Sequence, residues 1–217
     1  GNRKATPDEI RKMTDLVEQG MKDGALGIST GLFYVPGTFT PTEEVIELAK
    51  AAARYGGIHE SHQRDDAAKL LDSVAETIAI GEKGGLPTHI SHAKVVGTAN
   101  WGRSADMLRL IDAARARGVD VTIDQYPYTA SSTSVSAALI PAWVLEGGRQ
   151  QTLARLKDSG SREKAKGGIV AMIRDERGGG DPKNVQFANC GFDPALAGRT
   201  LADLTRARGL APTIRNA

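Results

Sequence analysis

Four short extended runs in this chain end in a polar residue, and their ends recur at nearly even spacing. The ends lie near Ser29, His62, His92 and Asp124, about 30 residues apart, which is the length of one β-α unit. Between them lie segments whose apolar residues recur at helical spacing. Strands that alternate with helices in this way predict a parallel sheet with crossover helices.

The same periodicities predict individual elements. Strands are predicted over 25–29, 57–62, 88–92 and 119–124, and helices over 6–24, 41–55, 66–84 and from about 104 to 118. After Tyr126 the pattern changes to loop. Helices over 142–157, 161–177 and 200–208 are predicted there, with a short strand over 185–188.

The four predicted strands all end in a polar residue at one side of the sheet. This arrangement is typical of an α/β barrel with its site at the C-terminal face, but a complete eight-stranded barrel takes about 250 residues. We therefore expect the central part of a (β/α)8 TIM barrel, with about four β-α units in residues 1–138. Residues 139–217 are expected to form a small, lid-like helical insertion.

All four histidines lie in two His-x-x-His pairs, His59 with His62 and His89 with His92. Side chains alternate along a strand, so the members of a pair should point to opposite faces. Parallel α/β folds collect reactive groups at strand ends, so we expect His62 and His92 to face a common centre and the other two to point outward. A lone histidine is usually structural, but two at equivalent strand ends predict a shared metal site, because imidazole is the commonest metal ligand.

Two cations and two phenols accompany these histidines. Arg64 and Lys94 each follow a candidate ligand by two residues and could hold an anionic group such as a carboxylate, although such cations are more often solvated. Tyr34 and Tyr126 lie in strand-end loops, where a phenol either binds a ligand or packs the loop.

Composition excludes several classes of function. The 28 basic and 26 acidic residues are interspersed without aromatic interleaving, which argues against a nucleic-acid partner. No run approaches the roughly 18 apolar residues of a membrane span. Cys190 is the only cysteine, which favours a reducing, cytoplasmic location. The start at Gly1, without an initiating methionine, leads us to expect a segment of a longer protein.

Several segments, taken in order, resemble the N-acyl-D-amino-acid deacylases, or D-aminoacylases, of the amidohydrolase superfamily of metal-dependent (β/α)8 barrels. The segments are Gly24-Ala-Leu-Gly-Ile-Ser-Thr-Gly-Leu-Phe-Tyr-Val-Pro, His62-Gln-Arg-Asp, Ile90-Ser-His-Ala-Lys, Asn100-Trp-Gly-Arg-Ser, Asp124-Gln-Tyr-Pro-Tyr-Thr-Ala, Pro141-Ala-Trp and Glu146-Gly-Gly. Together they span most of the chain.

The resemblance implies a zinc-dependent hydrolase that cleaves the amide joining an acyl group to a D-amino acid. By this resemblance, His62 and His92 are zinc ligands on the fifth and sixth barrel strands. Lys94 and Tyr34 would hold the substrate carboxylate or the developing oxyanion. Tyr126 and Ser132 fall on positions that face the substrate in the family. The expected partner is then a small-molecule N-acyl amino acid, with neither nucleic acid nor membrane.

The chain also departs from the family pattern. It lacks counterparts of the family's first-strand His-x-His, its cysteine ligand and its general-base aspartate, and Asp66 stands where a glutamate is usual. An internal fragment that binds zinc weakly and catalyses little by itself is therefore expected. Two alternatives stay open: an amidohydrolase that acts on a cyclic imide or a dipeptide, and a non-catalytic barrel remnant that binds an acidic small molecule or a partner subunit.

Overall fold

The computed structural model describes residues 2–217, which form two compact units. The first unit is the chain up to Val95 together with Gly102–Pro127, and the second is Val96–Trp101 with Tyr128–Ala217. The expected change from barrel to lid after residue 138 lies inside the second unit and stays a prediction.

The first unit holds four strands and four helices in alternation. They are α1 (Pro7–Lys22), β1 (Gly27–Gly31), α2 (Thr42–Ala53), β2 (Ile58–His62), α3 (Leu70–Gly84), β3 (Thr88–Ile90), α4 (Ser104–Ala116) and β4 (Val121–Ile123). The strands form one parallel sheet in the order β1-β2-β3-β4. This order confirms the predicted parallel sheet, and its lack of a reversal is typical of a barrel rather than of a doubly wound sheet.

The helix ends follow the local sequence closely. In α1 the Thr6 hydroxyl accepts from the backbone N–H of Glu9, and the Glu9 carboxylate accepts from the N–H of Thr6. By contrast, α3 begins four residues later than the predicted start, at Leu70. The Asp65 side chain accepts from the backbone N–H groups of Ala67 and Lys69, so this stretch forms a turn before the helix.

The two faces of the sheet differ in character. The face toward the helices is buried and carries His59, Ser61, Thr88 and Ile90. Ile90 and Val121 pack there with apolar residues of α3 and α4, namely Leu70, Val74, Ile78, Met107 and Ile111. The opposite face is polar, and Ser29, Glu60 and Thr122 are exposed on it.

Two strands end earlier than the predicted strands. β3 ends at Ile90 and β4 at Ile123, so His92 and Asp124 lie in the loops beyond them. β1 is displaced in the other direction and begins at Gly27 rather than at 25.

The second unit is helical. Its helices are α5 (Val135–Leu139), α6 (Ala142–Leu145), α7 (Arg149–Lys157), α8 (Ser159–Asp175) and α9 (Leu201–Ala207). One helix was predicted over 142–157, but Gly147 and Gly148 have φ of +81° and +85° and divide it into α6 and α7. The predicted strand over 185–188 is reduced to one antiparallel bridge between Gln186 and Thr200.

Short 3-10 turns lie at Gly37–Phe39, Thr98–Asn100, Pro182–Asn184 and Pro194–Leu196. Within residues 2–217, no helix combines the length and the apolar character that crossing a membrane requires.

Candidate metal site

The imidazole rings of His62 and His92 meet at the C-terminal edge of the sheet. Their centroids are 4.4 Å apart and their planes lie at 73°. His62 is the last residue of β2, whereas His92 reaches the same place from the loop after β3. The expected convergence of these two side chains is therefore present, and their role as metal ligands stays a prediction.

His92 has a backbone conformation that the sequence pattern did not reveal. Its φ is +42°, in the left-handed region that residues other than glycine rarely adopt. The carboxylate of Asp124 accepts a hydrogen bond from the backbone N–H of His92, and the backbone N–H of Ala93 donates to the Asp124 carbonyl at 2.9 Å. The hydrogen bond from His92 also lowers the pKa of the Asp124 carboxyl.

The two remaining histidines have different surroundings. His59 points away from the site, as expected, and is fully buried toward the helices. Its Nε2 lies 3.0 Å from the Thr30 hydroxyl and its Nδ1 lies 2.8 Å from the Thr88 hydroxyl. Burial lowers the pKa of His59 to about 4.

The expectation that His89 points outward is wrong. His89 pairs in register with Glu60, so its side chain lies on the polar face that His62 shares. Alternation would separate His89 from His92 only if β3 continued to His92, and the strand ends before it. His89 Nδ1 lies 2.8 Å from the Thr122 hydroxyl, and its Nε2 lies 3.5 Å from an Asp124 carboxylate oxygen.

Aromatic side chains surround the histidine pair. The ring centroid of Tyr34 is 4.7 Å from that of His62, and the Tyr126 centroid is 6.4 Å from that of His92. Phe33, which the sequence did not single out, lies 5.6 Å from His62. The structure thus brings both predicted tyrosines to the candidate site.

Lys94 contacts His92 directly. Its ammonium Nζ lies 2.9 Å from His92 Nδ1 and donates to the His92 carbonyl at 3.1 Å. The same Nζ is 2.8 Å from a carboxylate oxygen of Asp66. Asp66 was noted in the sequence only as a departure from the family pattern. The ion pair was not predicted, because Lys94 follows Asp66 by 28 residues and lies in a different loop.

The side chain of Arg64 is engaged elsewhere. Its guanidinium forms two hydrogen bonds to the carboxylate of Glu76 and also donates to the backbone carbonyls of Thr38 and Thr40. These contacts favour a structural role, and the predicted role in substrate binding is untested. Ser132 is an exposed residue of the second unit, and its role is likewise untested.

The donors at the site match zinc in kind. Neutral imidazole nitrogens bind zinc at about 2.0–2.1 Å, and three protein ligands are usual in a catalytic site. Within residues 2–217, no group of three or more His, Cys, Asp or Glu side chains is placed to hold a metal ion. The described residues therefore offer two candidate ligands, the imidazoles of His62 and His92, whose donor atoms are of the kind that zinc binds.

Comparison with known proteins identifies the relatives of this chain. No family model matches it. A D-aminoacylase of Alcaligenes xylosoxydans xylosoxydans is 47% identical over 131 residues, which are 60% of this chain and 27% of that protein. The chain is related to the D-aminoacylases. It spans about a quarter of the length of this curated D-aminoacylase.

Two solved structures extend the similarity across the chain. A D-aminoacylase that defines a novel subset of amidohydrolases is 33% identical, with a TM-score of 0.71 over 97% of this chain and 36% of the other. An N-acyl-D-glutamate deacylase of Bordetella bronchiseptica, solved with zinc and a phosphonate that mimics the tetrahedral intermediate, is 31% identical, with a TM-score of 0.74 over 99% of this chain and 37% of the other. The resemblance to D-aminoacylases and the predicted α/β amidohydrolase barrel fold are confirmed, and the chain matches part of that fold.

Proposed function

We propose that this chain contributes His62 and His92 as zinc ligands to a hydrolase of N-acyl-D-amino acids. The observation that carries the proposal is the distance of 4.4 Å between the ring centroids of His62 and His92, at the C-terminal edge of the parallel sheet. The relation to D-aminoacylases and the zinc in the N-acyl-D-glutamate deacylase support the choice of metal and substrate class.

The side chains around the histidines have complementary roles in this proposal. Zinc supplies Lewis acidity toward a carbonyl oxygen and lowers the pKa of water to about 7. Lys94 and Tyr34 hold the carboxylate of the substrate or the oxygen on which negative charge develops, since an ammonium and a phenol both donate hydrogen bonds. Tyr126 lies on the His92 side of the site, and its ring centroid is 6.0 Å from the Lys94 ammonium.

Two protein ligands are fewer than the three that a catalytic zinc site usually has. We therefore propose that the chain alone binds zinc weakly and hydrolyses its substrate slowly. The small-molecule ligand is an N-acyl amino acid whose anionic carboxylate pairs with Lys94.

A zinc titration of the purified chain tests the ligand assignment. Calorimetry should show one weak zinc site in the wild-type chain, and His62→Asn or His92→Asn should abolish it. His89→Asn is the matched control, because His89 lies on the same face but contacts Thr122 and Asp124. Unchanged zinc affinity in His62→Asn would overturn the assignment.

A substrate panel tests the reaction class. The zinc-saturated chain should hydrolyse N-acetyl-D-glutamate faster than its L enantiomer, a cyclic imide or a dipeptide. Faster hydrolysis of the cyclic imide or the dipeptide would replace the proposal with that amidohydrolase activity. Binding of N-acetyl-D-glutamate without any turnover would favour the non-catalytic alternative.

A further inference from the structure

Three polar atoms lie within hydrogen-bond distance of the Lys94 ammonium. An ammonium carries three N–H groups. The Lys94 Nζ lies 2.8 Å from a carboxylate oxygen of Asp66, 2.9 Å from His92 Nδ1 and 3.1 Å from the His92 carbonyl oxygen. The position of the ammonium is therefore set jointly by Asp66 and His92.

Asp66 is the stronger of these two partners. It carries the only carboxylate among the three acceptors, so its contact with the ammonium includes an attraction between opposite charges that the contacts with His92 lack. The Asp66 side chain is 5% exposed and that of Lys94 is 18% exposed, so water screens the pair weakly. An incoming anion can therefore displace a contact to His92 more readily than the contact to Asp66.

Gln63 shows how firmly the Asp66 carboxylate is oriented. The Gln63 side-chain Nε2 donates to the second Asp66 oxygen at 3.2 Å, and Gln63 is 1% exposed. Its Oε1 is buried without a hydrogen-bond partner among residues 2–217. Turning the amide over would direct Oε1 at the carboxylate, so the amide keeps its contact with Asp66 and leaves an acceptor unpaired.

We infer that Asp66 is a positioning residue that holds the Lys94 ammonium beside His92 and leaves the His92-facing donors exchangeable for an anionic group of the substrate. This inference rests on the proposed function, since it assigns Lys94 to the substrate. Asp66 follows β2, which ends at the candidate ligand His62, and Lys94 lies in the loop after β3, which carries His92, so the ion pair joins the two segments next to the candidate zinc ligands.

A crystal structure of the Asp66→Asn variant, without metal or ligand, tests the positioning directly. Asparagine keeps the shape of the side chain and removes its charge. The Lys94 ammonium should leave His92 Nδ1 while the backbone of both loops stays in place, and Asp66→Glu should retain the ammonium. A Lys94 side chain still within hydrogen-bond distance of His92 Nδ1 in Asp66→Asn would overturn the inference.

A double-mutant cycle tests the consequence for binding. The dissociation constant of N-acetyl-D-glutamate is measured by NMR titration of the zinc-loaded chain. Asp66→Asn should weaken binding about tenfold, the effect of one charge-assisted hydrogen bond, and Asp66→Glu should restore most of it. Asp66→Asn should add nothing in a Lys94→Met background, because Asp66 acts through Lys94. Asp72→Asn, an exposed carboxylate of α3, is the matched control.

The outcomes separate this inference from the proposed function. If Lys94→Met weakens binding and Asp66→Asn does not, or if the two effects add, the inference fails and the proposed function stands. If the ligand does not bind, or if Lys94→Met has no effect, the role of Lys94 in the proposed function fails. In that case the inferred link from Asp66 to the substrate fails with it.

Discussion

The carboxylate of Asp124 accepts a hydrogen bond from the backbone N–H of His92. Asp124 directly follows β4 and His92 lies in the loop after β3, so this hydrogen bond ties the loop after β3 to the end of β4. A left-handed backbone costs an ordinary residue roughly 1–2 kcal/mol, and this hydrogen bond offsets part of that cost. The direction in which His92 points is therefore set by a residue outside its own loop.

Replacing Asp124 should therefore weaken zinc binding without removing a ligand. In Asp124→Ala we expect the free energy of unfolding to fall by about 1–2 kcal/mol and the zinc affinity to fall as His92 loses its orientation. Chemical denaturation and calorimetric zinc titration measure the two effects. Asp112→Ala, an exposed position of α4, should change neither quantity. Wild-type zinc affinity in Asp124→Ala would show that His92 needs no such support.

His59 should make the stability of the chain depend on pH. Because burial lowers its pKa from 6.5 to about 4 in the folded chain, the unfolded chain binds a proton first as the pH falls. This contribution to stability is complete above pH 6.5 and is lost progressively between pH 6.5 and 4. The loss amounts to about 3 kcal/mol at pH 4.

Urea denaturation at a series of pH values measures this dependence. His59→Gln keeps hydrogen-bonding groups but cannot titrate, so the variant should be less stable at pH 7 and should lack the His59 part of the slope. An unchanged slope in His59→Gln would assign the pH dependence to other groups.

The Arg64–Glu76 pair should hold the loop that carries Tyr34. The guanidinium joins Glu76 to the carbonyls of Thr38 and Thr40, and the Arg64 and Glu76 side chains are 27% and 12% exposed. We expect Arg64→Lys to lose the paired geometry and to cost about 1–3 kcal/mol. Amide hydrogen exchange should accelerate over residues 33–41.

An exposed ion pair provides the control for this prediction. Glu47→Gln breaks the surface pair with Lys50 and should change stability by less than about 0.5 kcal/mol, with no change in exchange over the same loop. Equal exchange in Arg64→Lys and the wild-type chain would contradict the structural role of Arg64.

Gly84 should resist substitution because α2 and α3 pack closely there. A Cβ at Gly84 would lie 2.7 Å from the Cβ of Ala49, which is fully buried. Gly84→Ala should therefore lower the free energy of unfolding by about 1–3 kcal/mol despite the better helix propensity of alanine. Gly20→Ala in α1 meets no atom within 4 Å and should instead stabilise the chain by up to about 1 kcal/mol. Thermal denaturation of both variants checks the opposite signs.

The sequence predicted those elements whose signals are local. The Thr6-Pro-Asp-Glu start and the helical spacing after it predicted α1, and alternating β and α patterns predicted the parallel sheet. The predicted β3 was too long because the pattern of Ser91-His92 does not differ from that of a strand, and a positive φ at His92 leaves no mark on composition. One boundary error of two residues was enough to reverse the predicted direction of His89.

Contacts between loops lay beyond the reach of sequence patterns. Asp66 and Lys94 meet only because β2 and β3 are neighbours in register, so the pair requires the sheet before it can form. Arg64 was predicted to bind the substrate only because it follows His62 by two residues in the sequence. Its engagement with Glu76 depends on how α3 packs, which hydrophobic spacing does not specify.

The buried imidazole of His59 spans three strands, since it lies within hydrogen-bond distance of Thr30 on β1 and of Thr88 on β3. A shift of β2 by one residue along either neighbour would displace His59 by about 3.3 Å and turn its side chain to the other face of the sheet, so these hydrogen bonds would be lost. His59, which lies outside the candidate site, thus helps to fix the register of β1, β2 and β3 and therefore the relative positions of their C-terminal ends. The relative positions of the His62 and His92 imidazoles at the edge of the sheet thus depend in part on the buried His59 on its helix-facing side.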